Sequence, residues 1–155
     1  MLTATKENRD GKQFVLLGGT IDETDDLAKV IGMPTGPLIV SCRDLTRINS
    51  VGVKNWMKYF SQLQQNKLQF EFEELSVALV EQVNIVKNFA CGGPVLSIAM
   101  PFRCNSCQTG LTGAIKTEVV RSMNFNIAPV QCPKCGGSAE FDDVAEEYFS
   151  FLTRS

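Results

Sequence analysis

Hydrophobic and polar positions along the chain alternate between strand-like and helix-like periods, and the alternation predicts an α/β fold. Gln13-Phe14-Val15-Leu16-Leu17-Gly18-Gly19 reads as a strand, because a short apolar run bounded by glycines is of strand length. A helix is expected from Asp22 to Ile31, with Asp22 or Thr24 as its cap and Leu27, Val30 and Ile31 on one face. After Gly36-Pro37, the run Leu38-Ile39-Val40-Ser41-Cys42 is continuously apolar, which predicts a strand buried on both faces in the middle of a sheet. Arg43 to Asn49 reads as a loop. From Ser50 onward Val53, Trp56, Met57, Phe60 and Leu63 recur at helical spacing, while Lys54, Asn55, Lys58 and Gln62 fall on the other side, the pattern of an amphipathic helix.

The second half continues the alternation. Leu68, Phe70 and Phe72 interleave with Gln69, Glu71 and Glu73, a period of two that fits a strand with one wet face. Ser76 is placed to cap a helix carrying Leu79, Val80, Val83, Val86 and Phe89, which Gly92-Gly93 would stop. Val95 to Met100 predicts a further strand. Near the end, Phe141-Asp142-Asp143 opens a stretch with Val144, Tyr148, Phe149 and Leu152 on one helical face; acids at a helix start suit the macrodipole.

Between these last two elements lie two pairs, Cys104-x-x-Cys107 and Cys132-x-x-Cys135. A Cys-x-x-Cys turn aims two sulfurs at one point, and two such turns complete the tetrahedron of a structural zinc site. Pro133 and Gly136-Gly137 supply turn residues, and Lys134 adds a positive charge close to four thiolates. Disulfides or a thioredoxin-like redox pair are the competing readings. A redox motif needs only one such pair, and disulfides need an oxidising compartment. The residues between the hooks are rich in Thr, Val, Ile and Phe, and a β-hairpin presenting the two hooks side by side, a zinc ribbon, is expected. Cys42 and Cys91 lie outside the hooks and read as buried spectator thiols.

Composition narrows the function. The chain has 155 residues, 44% of them hydrophobic and 21% charged, enough for one real core, or one core plus a small satellite. No histidine is present, which removes the commonest general base at neutral pH, and neither a dinucleotide fingerprint nor a Walker-type loop follows the first strand. With four cysteines engaged, a metal has no open position for water. The acid pairs Asp25-Asp26 and Asp142-Asp143 read as helix-start charges. No enzyme is expected. A net charge of −2 argues against nucleic acid as the main partner, although Arg103, Lys116, Arg121 and Lys134 outnumber Glu118 and Glu140 around the hooks. The absence of a signal-like or membrane-length apolar run suggests a cytoplasmic protein without a membrane span.

The order β-α-β-loop-α-β-α-β, centred on Ile39-Val40-Ser41-Cys42-Arg43-Asp44-Leu45-Thr46-Arg47-Ile48-Asn49-Ser50-Val51-Gly52-Val53, resembles the STAS domain of anti-sigma-factor antagonists. In that family a buried strand ends in Asp-Leu-Ser or Asp-Leu-Thr, and an Asp-Ser-Ser-Gly element opens the main helix, its first serine being phosphorylated by a partner kinase. Asp44-Leu45-Thr46 matches the first motif. In Asn49-Ser50-Val51-Gly52 the serine and glycine match, while Asn49 stands for the acid and Val51 for the second serine. The resemblance covers about residues 13 to 100 and implies a mixed sheet flanked by helices. It further implies a regulatory site at Asp44, Thr46, Asn49, Ser50 and Gly52, and a signalling partner of the kinase or anti-sigma-factor kind. Serine is also among the best N-cap residues, so Ser50 has a purely local role open to it.

The expected organisation is therefore a STAS-like domain over residues 1–100, a zinc ribbon over 101–140 and a closing helix over 141–155. The expected function is regulatory protein–protein binding. A nucleic-acid-associated zinc-ribbon protein and an accessory STAS subunit of a transporter complex are the alternatives, and the salt dependence of nucleic-acid binding separates the first of these from a protein-binding module.

Overall fold

A computed structural model describes residues 1–153, and it is a mixed α/β structure with two four-stranded sheets. In the first sheet β1 (Leu2–Arg9) runs antiparallel to β2 (Lys12–Ile21), and β2 lies parallel to β3 (Leu38–Ile48), which lies parallel to β4 (Phe70–Glu73). The crossovers carry α1 (Leu27–Val30) and α2 (Ser50–Gln65). The chain continues through α3 (Val77–Ile85) into β5 (Ser97–Cys104), which belongs to the second, antiparallel sheet. That sheet has the order β6, β5, β8, β7, with β6 (Gly110–Lys116), β7 (Val130–Gln131) and β8 (Ser138–Phe141). Parallel bridges from Phe72 to Val95 and from Leu75 to Ile98 tie the two sheets together where β4 ends.

Alternation along β4 decides the two faces of the first sheet. Phe70 and Phe72 point to the helices, where Trp56 stacks on Phe72 and Phe89, and Phe60 packs edge-on to Phe72. Trp56 is fully buried, and its indole N–H donates to the Phe89 carbonyl at 3.0 Å, the partner a buried indole requires. Glu71 and Glu73 lie on the opposite face. There Lys12 pairs with Glu71 and Arg9 reaches Glu73, with the Arg9 guanidinium 3.7 Å from the Phe14 ring centroid. The stems of these long side chains shield the underlying apolar surface while their heads stay wet, so Ile39 and Ser41 are buried on this face.

Several elements differ from the sequence expectation. The run Arg43–Ile48 is not a loop: β3 continues through it, pairing Asp44 with Gly18 and Ile48 with Ile21. Only Leu45 and Ile48 in it are apolar, so it has no continuous apolar run, and its strand partners lie 26 to 27 residues back. Strand β1 is apolar only at Leu2 and Ala4, too sparse a pattern to signal a strand by itself. Helix α1 occupies only Leu27–Val30 and is capped by Asp26, because Asp22 and Asp25 engage the backbone and fold the preceding residues into turns. Helix α3 ends at Ile85, short of Phe89. The hooks do not flank a simple hairpin. The residues between them form β6, which pairs with β5, then α4 (Thr117–Ser122) and an irregular return to β7. In place of one closing helix, two short turns follow, α5 (Ala145–Tyr148) and α6 (Ser150–Thr153); residues 154–155 of the expected helix lie outside the described residues.

A second aromatic cluster anchors the end of the chain. Phe141 stacks on Phe149 and meets Tyr148 edge-on, while Phe102 packs edge-on to Phe141. The Tyr148 hydroxyl donates to the Ala99 carbonyl, and burial pushes its pKa well above the usual phenol range. No helix among the described residues is long and apolar enough to cross a membrane.

Candidate metal centre and docking surface

The two cysteine hooks meet. The sulfurs of Cys104, Cys107, Cys132 and Cys135 all lie within 4.8 Å of one another, with Cys104 and Cys135 3.4 Å apart and Cys107 and Cys132 3.8 Å apart. A tetrahedral ion with metal–sulfur bonds of about 2.3 Å spaces its sulfurs about 3.8 Å apart, so the four residues can hold a metal ion. Cys104 closes β5, and Cys132 follows β7, which pairs with β8. The two hooks are also joined directly, by the Asn105 N–H donating to the Ser138 carbonyl at 2.9 Å.

Main-chain donors turn towards the sulfurs as they do around thiolates. The N–H groups of Ser106 and Cys107 lie 3.4 and 3.5 Å from Cys104 Sγ, and that of Gly137 lies 3.4 Å from Cys135 Sγ. The second hook needs its glycines. Gly136 has φ +77°, and a Cβ at Gly137 would come within 2.6 Å of Ser106 Oγ, so one glycine makes the turn and the other lets the hooks approach. Thr109 was not foreseen. Its Oγ1 lies 3.0 Å from Cys107 Sγ, and its side-chain and backbone hydrogen bonds bring the Cys107 thiol down to about 6. Cys104 is likewise lowered, chiefly by the Cys107 backbone N–H. At Cys135 the Gly137 N–H favours the thiolate, yet the bonds from Cys104, Cys107 and Cys132 and the cost of desolvation together outweigh it and raise the group to about 11. Cys42 and Cys91 are buried away from it, and burial pushes the Cys42 thiol far up.

The residues singled out around Ser50 gather where the end of β3 turns into α2. Asn49, not Ser50, is the N-cap: its Oδ1 accepts from the Gly52 N–H at 2.7 Å, and its Nδ2 donates to Glu23 at 2.9 Å. Ser50 is the first residue of the helix. It is exposed, and its hydroxyl has no hydrogen-bond partner among the described residues. Gly52 is buried, and a Cβ there would lie 2.2 Å from the Ile21 carbonyl oxygen; the glycine lets α2 descend onto the end of β2. Asp44 is exposed beside Arg43, and the Thr46 hydroxyl donates to the Gly19 carbonyl at 3.1 Å. Glu23, supporting the Asn49 carboxamide from 26 residues away, carried no local signal in the sequence.

No protein-family model matches the chain, and no curated protein matches it in sequence. What the two sites can do is set by their own chemistry.

Proposed function

We propose that this chain is a non-enzymatic regulatory binding module of the anti-sigma-factor-antagonist kind, docking a signalling protein through the end of β3 and the start of α2. The four cysteines hold a structural zinc ion. Four-thiolate tetrahedral coordination suits zinc and leaves no position for a reacting water.

One observation carries the docking reading. Because Asn49 does the capping, the Ser50 hydroxyl is left exposed and unpartnered at the head of a 16-residue helix. A phosphate added there meets free N–H groups and the positive end of the helix dipole, so the fold tolerates it. A partner pressed against the same surface meets about 1.5 to 2 added negative charges. A penalty of about 4 kcal/mol weakens binding about a thousandfold, enough to dissolve a micromolar complex.

Affinity capture from the native cell tests this with wild-type, Ser50→Ala and Ser50→Asp baits. The expected result is a partner retained by the first two and lost by the third, with mass spectrometry finding phosphate on Ser50. Equal retention by all three, with Ser50 unmodified, would overturn the switch. Metal analysis of the purified chain tests the zinc assignment, with one zinc per chain expected; iron or no metal would overturn it.

A further inference from the structure

We infer that β6 is a homodimer interface, pairing antiparallel with β6 of a second copy across the outer edge of the second sheet. The first observation is the direction of its backbone groups. The Cys104 N–H donates to the Thr109 carbonyl, and the Thr117 N–H to the Leu96 carbonyl. The register pairs Ile98 with Ile115, Met100 with Gly113 and Phe102 with Leu111. In an antiparallel pair, hydrogen-bonded positions alternate with non-bonded ones, so Leu111, Gly113 and Ile115 point their N–H and C=O groups at β5. Gly110, Thr112, Ala114 and the N–H of Lys116 point outward. Strand β6 is the last strand of its sheet, and those groups have no backbone partner among the described residues. After it, the Thr117 hydroxyl donates to the Val95 carbonyl and draws the chain back towards the start of β5.

The second observation is that this edge lacks the usual defences. Proteins blunt exposed edges with charges, prolines, bulges or very short strands. The free edge of β1 carries Lys6, Glu7 and Arg9, and β7 is two residues long. The far side of β4 is taken by the bridges to Val95 and Ile98. Strand β6, Gly-Leu-Thr-Gly-Ala-Ile-Lys, has seven residues, no proline, an unbroken register and one charge, at its last position.

The third observation selects the occupant. With a two-fold axis at Gly113, every outward group except the Gly110 N–H finds a counterpart. Thr112 faces Ala114 of the second copy and exchanges hydrogen bonds with it, and the Gly110 carbonyl receives the N–H of Lys116. Leu111 then sits opposite Ile115 in the closer, non-bonded pairing, an apolar cross-strand pair on the half-buried face of both copies. Each lysine meets a glycine, so no like charges oppose. The strand is complementary to itself, as a two-fold interface requires.

Analytical ultracentrifugation of the metal-loaded chain, with charge variants at the exposed positions 112 and 114, tests this. The wild type is expected to show a concentration-dependent monomer–dimer equilibrium. T112K/A114K places lysine opposite lysine at both pairs and should weaken dimerisation at least about tenfold. T112E/A114K places glutamate opposite lysine at both pairs and should restore it. Circular dichroism melts confirm that the variants fold, and a variant that does not is replaced by Ala114→Pro, which removes an outward N–H without touching the bonds to β5. A wild type that stays monomeric at several hundred micromolar (on the order of the weakest specific homodimers), or a dimer indifferent to the lysine pair, would overturn the proposal.

Discussion

Asn84 and Tyr148 are joined across 64 residues of chain: the Asn84 carboxamide N–H donates to the Tyr148 carbonyl at 2.9 Å. The other end of the same side chain accepts from the Ser150 hydroxyl and the Phe151 N–H, both at 2.9 Å. Helix α3 thereby clamps the two closing turns, neither of which is long enough to persist alone. Asn84→Ala leaves part-buried main-chain groups unpaired at a cost of about 1–3 kcal/mol. Calorimetry should show a melting temperature lower by roughly 2–4 °C per kcal/mol at this chain length. An unchanged melt would mean that the aromatic cluster of Phe141, Tyr148 and Phe149 holds the turns without the clamp.

The head of α2 separates three neighbouring residues by stability. Asn49→Ala removes the cap and should cost about 0.5–2 kcal/mol. Gly52→Ala drives a methyl into the Ile21 carbonyl oxygen, and the resulting shift of the helix should cost about 1–3 kcal/mol. Ser50→Ala touches no partner and should stay within about 0.5 kcal/mol of wild type. Urea unfolding of the three variants checks the order, and a loss at Ser50 equal to that at Asn49 would contradict the capping assignment.

Metal loading should depend on pH in a direction set by the thiols. Near neutral pH Cys107, at about 6, is already a thiolate, while Cys135, at about 11, still holds a proton that binding must expel. As pH falls below about 6 the Cys107 proton must be expelled as well, so affinity should decline with falling pH and decline more steeply there. Competition with a chromophoric chelator at a series of pH values measures this. Affinity independent of pH would contradict thiolate ligation.

Metal removal should leave the packing around Trp56 standing. Trp56, the only tryptophan, stacks between Phe72 and Phe89, on the face of the first sheet that α2 covers. Chelation or Cys107→Ser should therefore leave its emission unchanged, while amide exchange rises across residues 101–140. A red shift of the emission on chelation would show that the packing around Trp56 depends on the hooks.

The sequence by itself determined those features that rest on short-range periodicity and fixed spacing. The Trp56-Phe60-Leu63 stripe determined the amphipathic helix, the alternation from Leu68 to Glu73 determined β4 with one apolar face, and the doubled Cys-x-x-Cys spacing determined which four sulfurs meet. Tertiary structure decided whatever depended on partners remote in the chain. Arg43–Ile48 became strand because β2 offers it a ladder, and the sparse β1 formed because β2 pairs with it through a tight turn. Asp22 and Asp25 shortened α1 because their carboxylates bind nearby backbone and leave Asp26 to cap a helix of four residues. The capping role moved from Ser50 to Asn49 by one residue, a distance that helical periodicity does not resolve. Glycine 52 is required by the Ile21 carbonyl 31 residues earlier, a contact that exists only once α2 has packed against the end of β2.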